Sequence, residues 1–138
     1  MTASHPELAL SAVETELLRD LRSRLNRLPP GDKAQDVLGG AFLKACLRVG
    51  IGPLDGEHDH AGVPAMDVKR DAKTLIAVAD AADMRELKLL TTGLSLARKD
   101  DPALWRALLK GGVGQAVLSR RLALGGREPA KHQGPVGA

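Results

Sequence analysis

The stretch Asp83-Met84-Arg85-Glu86-Leu87-Lys88-Leu89-Leu90-Thr91-Thr92-Gly93-Leu94-Ser95-Leu96-Ala97-Arg98 sets the pattern for the whole chain. Leu87, Leu90, Leu94 and Ala97 recur at steps of three and four, the period that puts side chains on one face of an α-helix. Asp83 stands three residues before Glu86, the spacing of a capping box. These signals predict a helix from Met84 to about Arg98. Composition extends the reading: 23 Leu and 20 Ala face only 9 Val and 2 Ile, with one Phe (Phe42), one Trp (Trp105) and no Tyr. Strong helix formers dominate, and the β-branched and aromatic residues that favour strands are scarce. The fold class expected is all-α, a compact bundle of five or six helices with a flexible C-terminal tail.

The remaining helices follow from the same signals. Ser4-His5-Pro6-Glu7 has a capping-box spacing with an early proline, and Leu10, Val13, Leu17, Leu21, Leu25 and Leu28 form the expected stripe of a first helix, ended by Pro29-Pro30. Asp20 and Arg24, four apart, are placed to pair on its surface. A second helix over about 33–49 has Asp32 as its expected cap. It carries Leu38, Ala41, Phe42, Ala45, Cys46 and Val49, with Gly39-Gly40 suggesting a close helix–helix contact; Gly50, Gly52 and Pro53 stop it. Pro64 is read as opening a third helix to about Ala81, with Val68, Ala72, Leu75, Ile76 and Ala79 as its stripe. A break at 80–83 separates it from the helix described above. Asp101-Pro102 restarts the chain as a helix over 102–110, and a last helix covers about 114–124 before Gly125-Gly126. One helical domain spans 1–126, with a long loop at 50–64, and residues 127–138 read as a disordered basic tail.

A chain of 138 residues is long enough to bury roughly two thirds of its unfolded surface without a disulfide or a metal. Cys46 lies in an apolar stretch and is expected in the core. Residues 1–27 lack a secretory pattern, and no run approaches the roughly 18 apolar residues of a membrane span. The location expected is the cytoplasm. Scarce aromatic residues remove stacking sites for bases, sugars or flavins. Trp105, beside Leu104, Leu108 and Leu109, reads as a core anchor.

Charge is uneven. Residues 1–101 hold 14 Lys and Arg against 16 Asp and Glu, whereas residues 102–138 hold six Lys and Arg against one Glu. The net charge of +3 therefore belongs to the C-terminal end, a pattern suited to an acidic partner. Residues 102–124 have the outline of a helix-turn-helix, whose second helix would enter a major groove. Arg106, Lys110, Arg120, Arg121, Arg127 and Lys131 are the candidate contacts to nucleic acid or to an acidic partner. The densest polar cluster is Asp55, Glu57, His58, Asp59 and His60, ligand types suited to zinc, nickel or iron; no paired His or Cys cluster elsewhere completes it. Gly111-Gly112-Val113-Gly114 precedes a helix, as an anion-holding turn does, but lacks the Lys-Ser/Thr of a phosphate loop. Gly93-Leu94-Ser95-Leu96-Ala97 partly matches a nucleophile elbow without the strand that motif needs; Ser95 reads as a helix-surface serine.

The leading functional reading is a non-enzymatic interaction or regulatory module acting through protein–protein contacts or self-association, with no cofactor and no membrane partner. The alternative is a DNA-binding accessory protein using the basic unit at 102–124. A further alternative is a metal-binding protein or small metalloenzyme using the 55–60 loop.

Overall fold

The computed structural model describes residues 8–54 and 65–128. Six helices make up the described chain: α1 Ala12–Asn26, α2 Asp32–Arg48, α3 Ala72–Ala81, α4 Met84–Asp100, α5 Pro102–Lys110 and α6 Val113–Leu124. No strand occurs among the described residues, so the all-α bundle stands. α6 packs most extensively on α3 and α1 and also touches α4 and α5, while α2 packs on α1, α4 and α5.

α1 begins later than the Ser4–Glu7 reading proposes. The sequence holds a second Ser-x-x-Glu at Ser11–Glu14, and there the box closes: Glu14 N–H donates to Ser11 Oγ at 3.0 Å, and Ser11 N–H donates to Glu14 Oε1 at 3.0 Å. Residues 1–7, with the first such spacing, lie outside the described residues. The later start also corrects the stripe. Leu18, Leu21 and Leu25 are buried, Val13 is 64% exposed, and Leu10 is buried from a segment ahead of the helix. Asp20 and Arg24 pair at 3.0 Å as expected.

α2 starts at Asp32 itself, capped by the backbone of Gly31 rather than by a side chain. It ends in a Schellman motif. Gly50, at φ 82°, lets its own N–H reach Leu47 O at 3.2 Å and lets Ile51 N–H reach Cys46 O at 2.9 Å. The close contact expected at Gly39-Gly40 is present: Gly39 lies under the Trp105 ring and Gly40 beside the Arg98 guanidinium.

α3 is shorter than the 64–81 reading. Asp71, not Pro64, heads the helix, its carboxylate accepting from Thr74 N–H at 2.7 Å. Residues 65–70 instead run irregularly beside α4, where Met66 N–H donates to Leu89 O at 3.0 Å and the Met66 carbonyl lies against the bare α-carbon of Gly93. Val68 is buried from this segment, not from a helix. The break before α4 holds, with the Asp83–Glu86 capping box formed from both sides. Asp101 caps α5 with Pro102 in its first turn.

α6 is buried or half-buried all round, although it carries Gln115, Ser119, Arg120 and Arg121. Val113, Gly114, Ala116, Val117, Leu118, Arg121 and Leu122 are all buried. Packed against α1, α3, α4 and α5, the helix forms the centre of the bundle. Trp105 and Phe42 are fully buried beside it, their ring centroids 6.5 Å apart, so Trp105 is the core anchor expected.

Candidate interaction surface

The C-terminal cations are not gathered on one open face. Arg106 turns back to α2, donating from Nε and Nη2 to the two carboxylate oxygens of Asp36 at 3.3 and 3.2 Å, with Asp32 3.6 Å from its Nη1. Arg120 Nε donates to Ala82 O at 2.7 Å, closing the corner between α3 and α4. Arg127 donates to Leu10 O. Lys110 is exposed at the end of α5, and Lys131 lies outside the described residues.

Arg121 is the largest departure from a basic recognition face. It is 1% exposed, and its guanidinium donates to Val49 O and Leu8 O, each at 2.8 Å. The carbonyls are those at the end of α2 and in the segment before α1, which have no helical partner of their own. Burial pushes the guanidinium below its ordinary pKa, with the charge of Glu14 opposing; an arginine stays charged regardless. The glycines of the same unit lie where a side chain would meet a neighbouring segment. Gly111 lies against Ala72, Gly112 against Ile76, and Gly114 against Leu25 and Phe42. At Gly111 and Gly114 the lack of a side chain lets α3 and α1 approach closely.

The Asp55, Glu57, His58, Asp59 and His60 cluster lies outside the described residues. Among those described, no group of three or more His, Cys, Asp or Glu could hold a metal ion. Cys46 is fully buried, and desolvation raises its thiol pKa far above the ordinary range. Ser95 sits mid-helix and half-buried in α4. Among the described residues no helix is long and apolar enough to cross a membrane.

What the structure leaves open is the outer face of α2. Val37 and Leu47 are 70% and 65% exposed. A groove lies on each side of this face. One, of about 420 Å³, runs between α1 and α2; the other, of about 550 Å³, runs between α2 and α4. Val37 and Ala41 line both grooves, so together they form the ridge between them.

The charges lining the grooves are also sorted. Asp20 is paired with Arg24 at 3.0 Å, and Asp36 with Arg106. Arg27, Lys44 and Arg98 line the same grooves and make no ion pair among the described residues. The charge left over is positive. Sequence reading passed over this surface because it followed the buried stripe of α2. The available signal was Val37 and Leu47 lying off that stripe among charged neighbours.

No family model, curated protein or solved structure matches the chain.

Proposed function

We propose that this chain is a non-enzymatic interaction module that binds a protein partner through the outer face of α2. The observation that carries the reading is the pair Val37 and Leu47, two branched aliphatic side chains left mostly in water beside grooves that can take a partner's side chains. Both line the groove between α2 and α4, and exposed apolar side chains lining one concave surface are a common feature of protein contact sites. The DNA-binding alternative draws less support. Two of its key cations, Arg120 and Arg121, donate to backbone carbonyls of the bundle itself.

Selection from a library of helical peptides displayed on phage tests the reading, with the full chain as bait. Binders are expected whose capture is lost on the double variant Val37→Ser, Leu47→Ser. Both positions are exposed, so the variant should fold with stability within about 0.5 kcal/mol of the parent. A selection that yields no binder, or only binders indifferent to the double variant, overturns the proposal.

A further inference from the structure

Resting on the reading above, we infer that the partner segment is an acidic amphipathic helix, seated on the ridge of α2 with its carboxylates facing Arg27, Lys44 and Arg98. Shape supplies the first argument. The ridge of Val37 and Ala41 lies between two grooves, and a partner helix packs its own rows of side chains, spaced three and four apart, into such grooves. Charge supplies the second. The groove acids Asp20 and Asp36 are already held by Arg24 and Arg106. The cations that remain come from three helices or their ends, one at the end of α1, one on α2 and one on α4. The face thus has apolar centre and basic flanks, the complement of an apolar stripe flanked by Asp or Glu.

The same charges disfavour a second copy of this chain. A two-fold contact places each patch against itself, which would bring Lys44 and Arg98 towards their own copies. A nucleic acid would desolvate Val37 and Leu47 against phosphates, and it would find no ring to stack on, since Phe42 and Trp105 are both fully buried. A flat bilayer would leave the two grooves unfilled.

The test uses the full chain and three synthetic peptides of about the length of α2. They share one leucine stripe and differ only in flanking Glu, Gln or Lys. The Glu peptide should bind about tenfold more tightly than the Gln peptide and the Lys peptide least, with the Glu advantage shrinking between ~0.05 and ~0.5 M salt. Lys44→Glu with Arg98→Glu should reverse the order, while Val37→Ser with Leu47→Ser weakens all three alike. Equal binding of the three peptides overturns the acidic partner and leaves the interaction face standing. Binding of none overturns this inference, and the library selection then judges the broader reading on its own. Tight binding instead to a mixed-sequence DNA duplex or to phosphatidylglycerol vesicles, abolished by the charge reversal, would replace the helix with a phosphate surface.

Discussion

Trp105 and Gly39 are in contact across the α2–α5 interface: a β-carbon on Gly39 would stand 2.6 Å from the Trp105 Cζ2 atom. Glycine inside a helix costs about 1 kcal/mol relative to alanine, and here that cost lets the largest side chain of the core approach the α2 backbone. Its neighbour Gly40 differs. A β-carbon there would meet only the Arg98 guanidinium, at 3.3 Å, the far end of a flexible side chain. Gly39→Ala should therefore destabilise the protein by about 1–3 kcal/mol through overpacking. Gly40→Ala should be neutral or stabilising by up to about 1 kcal/mol. Urea denaturation of both variants checks the pair, and equal effects would refute the explanation.

Arg121 should be the costliest arginine to remove. Its donors satisfy a buried carbonyl at Val49 and a part-buried one at Leu8, on two segments far apart in sequence. Arg121→Met keeps most of the apolar stem but strands those acceptors, for a loss on the order of 3 kcal/mol. Arg121→Lys should recover only part of it, since an ammonium cannot reproduce the planar fork. Lys110→Ala, at an exposed site, should change stability by less than about 0.5 kcal/mol. A loss near that surface value for Arg121→Met would mean that the guanidinium is dispensable to the bundle.

Glu128 should contribute to acid sensitivity. Hydrogen bonds from Arg22 hold its carboxyl below the ordinary range; burial opposes them, and the charges of Arg22 and Arg19 add to the lowering. The folded state thus binds this proton less readily than the unfolded chain. The contribution is fully present above the unfolded value of about 4.3 and is lost as pH falls through the lower folded value. Glu128→Gln should flatten the decline in stability below about pH 5. Glu14 and Asp71, whose carboxyls are lowered mainly by hydrogen bonds with Ser11 and Thr74, should leave a residual slope. Chemical denaturation across acid pH compares the two proteins; superimposable profiles would exclude the role given to Glu128.

The Cys46 thiol should be silent in the folded protein. It has no exposure, and burial disfavours the thiolate that reacts. An aromatic disulfide reagent should label it fully in denaturant. Under native conditions labelling should occur only at the rate of large-scale opening, and it should quicken in variants such as Arg121→Met. Prompt labelling of the native protein would show that the α2 core opens locally.

Capping chemistry made several helix starts readable. Asp83–Glu86 and Asp101-Pro102 fall where the local rules put them, because a cap is settled by a few residues and their own backbone. The same local rule misplaced the start of α1. Two Ser-x-x-Glu spacings compete there, and nothing local ranks Ser4 against Ser11. Pro64 was a poor guide to α3 for a related reason: residues 65–70 gain a hydrogen bond to Leu89 and a close seat on Gly93, partners more than 20 positions away.

The amino-acid sequence alone determined the all-helical class, most helix breaks and the burial of Phe42, Cys46 and Trp105. Helical periodicity, caps and hydrophobic burial all act over a few neighbouring residues or follow directly from side-chain type. Only the tertiary structure decided where charge is spent and where apolar surface is left over. In sequence the positive end is 102–131; in space Arg106, Arg120, Arg121 and Arg127 bond back to carboxylates and carbonyls on other segments. The grooves carrying cations without an ion pair among the described residues flank α2 instead. Whether a cation meets water, a carbonyl or a carboxylate depends on which segments the bundle brings within about 3 Å of it. Those segments lie tens of residues apart, beyond the reach of any local pattern.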